Sequence, residues 1–299
     1  MENFNTKSKT DGLDLFGHVF APDCAPQDCR AVISLVHGYS EHGARYAHMG
    51  AALNEAGIAL CTVDLRGHGK SGGKRGVIGK YPDFYGDVDA LIAETRRRFP
   101  DVPHFLMGHS MGGSIALNYK FARQLDCAAL EPTPLNQIMG YIITAPLLRL
   151  AKAPPEFLRP LMVMLRTLAP NFTFGQKVDG SDISTLPDEA RAYEEDPLVH
   201  GKLSPALALD MIDYGEAALS KAADWRCPLL LMHGEADRVT DCNASIEFKA
   251  QSGLDVTLKT FEDAFHEIHN DISRQDVYSE IITFISAEIN SRNLSETYI

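Results

Sequence analysis

The chain has 299 residues, of which 45% are hydrophobic and 23% charged, a composition typical of a folded globular protein and not of a disordered or fibrous one. Its 28 basic and 40 acidic residues leave a formal net charge of −12, which disfavours contact with nucleic-acid phosphates or anionic lipids. We therefore predict one large domain, or a core with an insertion, that has no nucleic-acid partner.

The cysteines and the N-terminal residues predict a cytoplasmic location. None of the six cysteines forms a C-x-x-C pair, and some, such as Cys61 and Cys227, lie in or beside apolar segments, so we expect buried, reduced thiols. The first ten residues are polar and lack the apolar segment of a secretory signal. No segment approaches the roughly 18 apolar residues that a membrane span requires.

Strand-like and helix-like patterns alternate along the first half of the chain. Residues 13–20 are expected to add an antiparallel hairpin at the edge of a sheet. Apolar runs then predict buried strands at residues 31–36, 58–63, 104–107 and 141–144, and helical spacing predicts helices over 46–56, 88–99 and 115–121. Such alternation is typical of a parallel sheet with helices on both faces.

The alternation stops near Pro146 and resumes after residue 220. The intervening segment has clustered prolines, apolar helical stretches and no clear strand. The sequence then predicts strands at 228–232 and 255–261 and helices at 245–250 and 277–289. We therefore divide the chain into a first core part, an insertion and a second core part, at residues 1–146, 147–220 and 221–299.

A candidate nucleophile lies in the segment from Gly108 to Gly112, which fits the pattern G-x-S-x-G around Ser110. A predicted strand precedes the pattern and a predicted helix follows it. A sharp strand-to-helix turn needs small flanking residues, and such a turn places the serine hydroxyl at a helix N-terminus, where negative charge is stabilised. We predict that Ser110 is a catalytic nucleophile.

A serine hydroxyl needs a base to take its proton. The order nucleophile, acid, histidine that is expected on this architecture selects Asp237 and His266, because each follows one of the last two predicted strands. His269 remains an alternative base. Asp241 and Glu235 remain alternative acids.

Two backbone N–H groups should form an oxyanion hole. The N–H of Met111 directly follows the nucleophile, and the turn His37-Gly38-Tyr39 after the first buried strand supplies the N–H of Tyr39. We expect His37, Gly38 and His109 to lie beside the substrate. Because no metal-binding or dinucleotide-binding motif is present, we predict neither a metal nor a cofactor.

The chain resembles α/β-hydrolases of the monoacylglycerol lipase and lysophospholipase group. The segments that carry the resemblance are 37–46, 64–71, 108–113, 193–198, 233–239 and 266–267. The resemblance implies an α/β-hydrolase fold, with a mostly parallel eight-stranded sheet and a helical cap formed by the insertion. It also implies a catalytic triad at Ser110, Asp237 and His266.

The implied activity is hydrolysis of carboxylic esters with apolar acyl chains, monoacylglycerols or lysophospholipids, through an acyl-enzyme. Two alternatives remain at this point: a short-chain carboxylesterase or thioesterase with the same triad, and a non-catalytic relative that only binds ligands. The partner that we expect is a lipid or small ester.

A helix of the insertion should line the acyl site. Residues 157–168 place apolar side chains on one stripe, and Leu161 and Leu165 are predicted to contact the acyl chain. Arg159 and Arg166, seven residues apart, share another face. This helix could also give the protein transient contact with a membrane surface, so that the protein is peripheral to a membrane. The bulky Tyr39 is expected to narrow the acyl entrance.

Overall fold

The computed structural model describes residues 1–125, 127, 138–253 and 255–297. These residues form ten β-strands: β1 (Glu2–Lys7), β2 (Asp14–Phe20), β3 (Ala31–Val36), β4 (Ile58–Val63), β5 (His104–His109), β6 (Ile138–Thr144), β7 (Phe174–Gly175), β8 (Lys202–Leu203), β9 (Leu229–Gly234) and β10 (Val256–Phe261). They also form nine α-helices: α1 (Ala47–Glu55), α2 (Asp83–Arg98), α3 (Met111–Ala122), α4 (Leu158–Leu168), α5 (Gly180–Ile183), α6 (Pro187–Glu195), α7 (Pro205–Ser220), α8 (Cys242–Gln251) and α9 (Arg274–Thr297).

Eight strands form one sheet in the order β1-β2-β4-β3-β5-β6-β9-β10. The strands from β4 to β10 along this order pair in parallel, whereas β1 and β2 are antiparallel at one edge. The predicted fold class is therefore confirmed. The outermost strand, β1, goes beyond the prediction, because its polar sequence gives little strand signal and only its pairing with β2 defines it.

Two hydrophobic layers cover the sheet. The layer under α1 and α9 contains Met49, Leu53 and Ile281, and the layer under α2, α3 and α8 contains Ile115 and Phe248. The central strands β3, β4 and β5 are buried along their whole length, since helices cover both faces. This explains their continuous apolar sequences and places all parallel strands with their carboxyl ends at one edge.

The insertion between β6 and β9, here called the cap (residues 147–220), contains α4 to α7. It also contains β7 and β8, a two-stranded antiparallel ribbon that the sequence analysis missed. Strands of two residues are too short for a periodic pattern to identify them. The helix α7 packs on both α3 and α4, so it joins the cap to the core.

Cys127 and Cys227 form a disulfide, separated by 100 residues in the chain. The expectation that all thiols are reduced is therefore wrong for this pair. The two cysteines are far apart in sequence, and only the approach of the chain after α3 to the start of β9 brings them together. The other cysteines, Cys24, Cys29, Cys61 and Cys242, are free.

Candidate active site

Ser110 lies in the turn between β5 and α3. Its backbone has φ 54° and ψ −120°, a conformation that residues other than glycine rarely adopt. A Cβ atom at Gly108 would lie 2.4 Å from the carbonyl oxygen of Gly112, and one at Gly112 would lie 2.1 Å from that of Val36. Only glycine fits at either position, so the glycines permit the turn that lifts Ser110 to the N-terminus of α3.

His266 connects Ser110 to Asp237. Its Nε2 lies 2.9 Å from Ser110 Oγ, and its Nδ1 lies 2.7 Å from Asp237 Oδ2. The three side chains follow β5, β9 and β10, whose carboxyl ends meet at one edge of the sheet. In this arrangement Nδ1–H donates to the carboxylate, and Nε2 is free to accept the serine proton.

The carboxylate of Asp237 is held by the chain that follows it. Its Oδ1 accepts hydrogen bonds from the N–H groups of Val239 and Thr240, and its Oδ2 accepts bonds from Thr240 Oγ1 and His233 Nε2. Burial raises the pKa of Asp237, but the positive charge of His266 and the hydrogen bonds from His233 and His266 outweigh burial and lower the pKa well below its usual range. Asp237 is therefore ionised at neutral pH.

His266 is buried, and its charge state depends on Asp237. Burial by itself lowers the pKa of His266, but the neighbouring Asp237 carboxylate outweighs burial and raises the pKa above 6.5. The nearby His109 is kept neutral, because burial lowers the pKa of its imidazole well below 6.5. The pair formed by His266 and Asp237 can therefore hold a proton without repulsion from a charged His109.

The structure gives the alternative base and acids other partners. The buried ring of His269 stacks on Tyr46, with 4.9 Å between ring centroids. Asp241 is the N-cap residue of α8, and Glu235 accepts a hydrogen bond from Thr260 Oγ1. The geometry therefore favours His266 and Asp237 over these three residues.

Two backbone N–H groups lie beside Ser110. Met111 is the first residue of α3, where an N–H has no acceptor within the helix. Gly38 packs so closely that a Cβ atom there would lie 3.2 Å from Ser110 Cβ, and Tyr39 follows it. In the part of the chain that the structure describes, the N–H groups of Tyr39 and Met111 have no hydrogen-bond acceptor, so both are available to an oxyanion.

A buried ion-pair network, which the sequence analysis did not single out, supports the turn at Gly38. Glu41 Oε1 accepts the Gly38 N–H at 2.6 Å, and its Oε2 lies 3.2 Å from Arg45 Nη1. Arg45 also binds Glu267 with two hydrogen bonds of 2.5 and 2.8 Å. Glu41 and Arg45 are four residues apart in the sequence, and this spacing is the one local feature that indicates their ion pair. No local feature indicates the pairing of Arg45 with Glu267.

The guanidinium of Arg45 is the shared ion-pair partner of the Glu41 and Glu267 carboxylates in this network. Burial raises the pKa of Glu41 to about 7, and the charge of Arg45 only partly offsets this effect. Burial also disfavours ionisation of Glu267, but the attraction and hydrogen bonds of Arg45 outweigh it and lower the pKa of Glu267 to about 2. Arg45 is therefore paired mainly with Glu267, and Glu41 carries the weaker charge.

A cavity of about 710 Å³ opens beside Ser110 and His266. The predicted substrate-binding residues Gly38 and His109 line it, as does Tyr39. The apolar part of its wall comes mainly from the cap and from the loop after β6, and includes Leu147, Leu150, Leu158, Met162, Phe174, Leu209 and Met211. The volume lies in the usual range for sites that hold small organic ligands.

His37 does not line this cavity, contrary to prediction. Its ring is fully buried, with Nε2 accepting the Leu65 N–H and Nδ1 donating to the Gly38 carbonyl oxygen, both at 2.8 Å. Burial lowers the pKa of His37 to about 4, so the ring is neutral. His37 therefore supports the Gly38 turn from the protein interior. The next two residues, Gly38 and Tyr39, line the cavity instead.

Leu161 and Leu165 are also absent from the cavity wall, and this prediction is wrong. Leu161 is 42% exposed, and Leu165, one turn later, is half-buried. Leu158 and Met162 of the same helix line the cavity instead. The sequence identified the correct helix and an apolar stripe that includes Leu158 and Met162, but the wrong members of that stripe were predicted to contact the acyl chain.

Two ion pairs orient α4. Arg159 binds Asp213 at 2.9 Å and Arg166 binds Asp210 at 2.7 Å, and both acids lie on α7. The arginine face of α4 is therefore turned toward α7. This docking rotates most of the large apolar side chains to the outside, which the amphipathic pattern of α4 alone could not reveal.

A serine in a strained strand-to-helix turn, bonded through histidine to aspartate at the carboxyl edge of a mostly parallel sheet, defines an α/β-hydrolase. The family model described as serine aminopeptidase, S33 (Hydrolase_4), matches residues 27–273. The chain belongs to this family and, within it, to the monoacylglycerol lipase group of carboxylic ester hydrolases.

Three relatives illustrate the similarity. A monoacylglycerol lipase of Mycolicibacterium smegmatis is 30% identical, over 93% of this chain and 95% of the relative. An uncharacterized abhydrolase domain-containing protein of Dictyostelium discoideum is 33% identical over 89% of this chain, which spans only 27% of that longer relative. The crystal structure of Paleococcus ferrophilus monoacylglycerol lipase superposes with a TM-score of 0.78 at 29% identity, covering 92% of this chain and 99% of the other.

Proposed function

We propose that this protein is a serine esterase that hydrolyses monoacylglycerols, or lysophospholipids, through an acyl-enzyme. The observation that carries the proposal is the hydrogen-bonded chain from Ser110 through His266 to Asp237, set beside a largely apolar cavity. The names of the relatives from Mycolicibacterium smegmatis and Paleococcus ferrophilus support a monoacylglycerol as substrate.

In the proposed mechanism Ser110 Oγ attacks the ester carbonyl while His266 Nε2 takes the serine proton. The N–H groups of Tyr39 and Met111 hold the oxyanion, and the ionised Asp237 stabilises the imidazolium. The imidazolium then gives its proton to the leaving alcohol. Water, activated by His266, attacks the acyl-enzyme, and the carboxylic acid leaves as Ser110 regains its proton.

The charges at the base of the cavity favour an uncharged, hydroxylated alcohol over a phosphate. Glu41 and Glu267 line the cavity beside Ser110 and His266 and share the guanidinium of Arg45, whereas the cations of the lining lie in the cap and in the loop after β9, at Lys152, Arg159, Lys177 and Arg238. Carboxylate oxygens accept hydrogen bonds from hydroxyl groups but repel a phosphate. We therefore place monoacylglycerol ahead of lysophospholipid.

The test is the rate of hydrolysis of p-nitrophenyl esters from acetyl to palmitoyl, beside a monoacylglycerol and a lysophospholipid. We expect a maximum at a medium or long acyl chain, with release of glycerol from the monoacylglycerol. Ser110→Ala should lower kcat by roughly 10⁴- to 10⁶-fold and abolish labelling by a fluorophosphonate, because labelling requires an activated serine. Ser114→Ala, one turn further along α3, is the matched control and should retain both ester hydrolysis and labelling by the fluorophosphonate.

Other outcomes would select the alternatives. A maximum at acetyl or butyryl esters, with neither lipid cleaved, would identify a short-chain carboxylesterase or thioesterase. Release of p-nitroaniline from an aminoacyl p-nitroanilide, without ester hydrolysis, would point to the aminopeptidase activity of the family description. Absence of labelling in the wild-type protein would leave a non-catalytic binding protein.

We also propose that the cap makes transient contact with a membrane surface. No helix among the described residues is long and apolar enough to cross a bilayer. However, large apolar side chains on α4 and next to its ends are exposed, at Phe157, Leu161, Val163, Met164, Leu168 and Phe172. Such a group of side chains is typical of a surface that enters the boundary of a lipid layer.

The cytoplasmic location that the sequence predicts is retained as a further proposal. The Cys127–Cys227 disulfide is the observation against it, because the cytoplasm keeps most thiols reduced. Alkylation of free thiols in freshly lysed cells, followed by mass spectrometry, decides between the two. An alkylated Cys227 would support the cytoplasm, and a bonded one would support an oxidising compartment.

A further inference from the structure

The side chain of Tyr39 leaves the turn beside Ser110 and reaches the cap. Its hydroxyl lies 3.1 Å from the carbonyl oxygen of Gln176 and 3.0 Å from that of Lys202, and it donates its single hydrogen between them. Gln176 directly follows β7, and Lys202 begins β8. Tyr39 therefore binds both strands of the cap ribbon at once.

The ribbon is short, and it depends on contacts with its surroundings. Each strand has two residues, and an isolated two-stranded pair of this length is not stable in water. The ring of Tyr39 packs edge-on against His68 of the core and His200 of the cap, with centroid distances of 6.2 and 5.7 Å. Burial raises the pKa of the Tyr39 hydroxyl, so the group remains a hydrogen-bond donor at neutral pH.

The next residue, Ser40, makes a second link to the cap. Its hydroxyl donates to the carbonyl oxygen of His200, and its own carbonyl oxygen accepts the His200 N–H at 3.1 Å. Ser40 has φ 73°, a conformation that costs a residue other than glycine roughly 1–3 kcal/mol and persists only where neighbouring contacts hold it. The cap supplies such contacts directly beside the predicted oxyanion donor.

We propose that Tyr39 is a positioning residue that couples the cap to the oxyanion hole. Its N–H binds the oxyanion, while its hydroxyl, anchored on the ribbon, holds the turn that presents this N–H. The inference rests on the proposed function, since it assigns a role to one side chain of that site. The expectation that Tyr39 narrows the acyl entrance stays a prediction, since the residue also lines the cavity.

The variant Tyr39→Phe keeps the backbone N–H and the ring but removes the anchor. With p-nitrophenyl acetate, whose acyl group is too short to need the cap, we expect kcat to fall about 10-fold while KM changes less than about twofold. The inhibition constant of a trifluoromethyl ketone should rise by a similar factor, because the adduct of this inhibitor with serine carries the same oxyanion. All rates are expressed per active site titrated with a fluorophosphonate.

The matched control is Tyr119→Phe, which removes a hydroxyl that donates to Asp89 at 2.7 Å, away from the cap. This variant should retain the wild-type inhibition constant. Hydrogen exchange gives a second readout: amides of β7 and β8 should exchange faster in Tyr39→Phe and not in Tyr119→Phe. If Tyr39→Phe does not fold, Ser40→Ala removes the neighbouring link and should change the same quantities in the same direction.

Wild-type kcat and inhibition constants in Tyr39→Phe, measured on folded protein, would overturn the coupling. So would an equal loss in Tyr119→Phe, because it would indicate a general effect on stability. A wild-type protein that neither hydrolyses esters nor reacts with the fluorophosphonate would instead refute the proposed function. The two failures are therefore distinguishable.

Discussion

At the scale of single residues, the candidate site depends on how one carboxylate controls one imidazole. Burial disfavours a charge on His266, and the Asp237 carboxylate makes the largest contribution that reverses this effect. The sequence placed both residues at the correct sheet edge, because the end of each strand and the order of the residues along the chain can be read from short segments. It favoured Asp237 but kept Asp241 and Glu235 as alternatives, since the distances that decide among them are set by the folded loops.

The pH dependence of activity should follow from this pair. The base must be neutral to accept the serine proton, so kcat/KM should rise with pH through a pKa above 6.5. Asp237→Asn removes the charge that raises this pKa. The rising limb should then move to lower pH, and kcat should fall by roughly 10⁴-fold because the imidazolium loses its counter-charge.

The measurement is a pH–rate profile with p-nitrophenyl butyrate from about pH 4 to pH 9. Asp241→Asn is the matched control, because asparagine also serves as an N-cap and should preserve α8 and the profile. A rising limb that stays in place in Asp237→Asn would contradict the assignment of Asp237 as the partner of His266.

At the scale of secondary-structure elements, α4 shows what a sequence pattern leaves undecided. Its amphipathic character is clear from the sequence, and the shared face of Arg159 and Arg166 is found in the structure. The pattern does not say whether a polar face meets solvent or another helix. Because Asp210 and Asp213 of α7 attract the arginines, the polar face meets α7, with Arg159 and Asp213 still about half exposed, and much of the apolar face is outward.

Membrane contact through α4 should depend on its exposed apolar side chains. The side chain of Phe157 is 77% exposed and that of Leu168 is 74% exposed, and complete burial of such side chains is worth about 1.5–3 kcal/mol each. We expect the wild-type protein to float with uncharged phosphatidylcholine vesicles in a density gradient. The double variant Phe157→Ser, Leu168→Ser should bind at least about 10-fold more weakly.

Ile246→Ser provides the control, since this isoleucine is 47% exposed on α8, outside the cap. It should float like the wild-type protein. Anionic vesicles should bind less protein than uncharged ones, because the chain carries a net charge of −12. Equal flotation of the double variant and the wild type would remove the cap from any role in membrane contact.

At the scale of the whole molecule, the chain leaves the sheet after β6, builds the cap and returns at β9. The disulfide from Cys127 to Cys227 links the two ends of the segment that contains β6 and the cap, because one cysteine precedes β6 and the other follows the cap. Composition and cysteine spacing predicted reduced thiols. The pairing could not be found in the sequence, because it joins residues a hundred positions apart.

Removing this disulfide should lower global stability. In the chain-entropy model a loop of this length restricts the unfolded state by an amount worth about 4–5 kcal/mol. The variant Cys127→Ser, Cys227→Ser should therefore unfold at a lower temperature and lower urea concentration than the wild-type protein. Cys24→Ser, which replaces an exposed free cysteine, should not.

Thermal and urea unfolding, with and without a reductant, measure this effect. Reductant should destabilise the wild-type protein and leave the double variant unchanged. Equal stability of the reduced and oxidised wild-type protein would show that the bond contributes nothing to the folded state.

The sequence by itself determined the fold class, the order of the main strands and helices, and the sheet edge at which Ser110, Asp237 and His266 meet. These features follow from local physics: apolar periodicity, the small residues that a sharp turn requires, and the rule that parallel strands share one carboxyl edge.

Only the tertiary structure decided which side of α4 lines the cavity, that His37 lies beneath the turn, and that Arg45 binds Glu267. It alone decided that the Tyr39 hydroxyl bonds to the cap ribbon. Each of these features is a contact between residues far apart in the chain, and its energy depends on distances that no short stretch of sequence encodes.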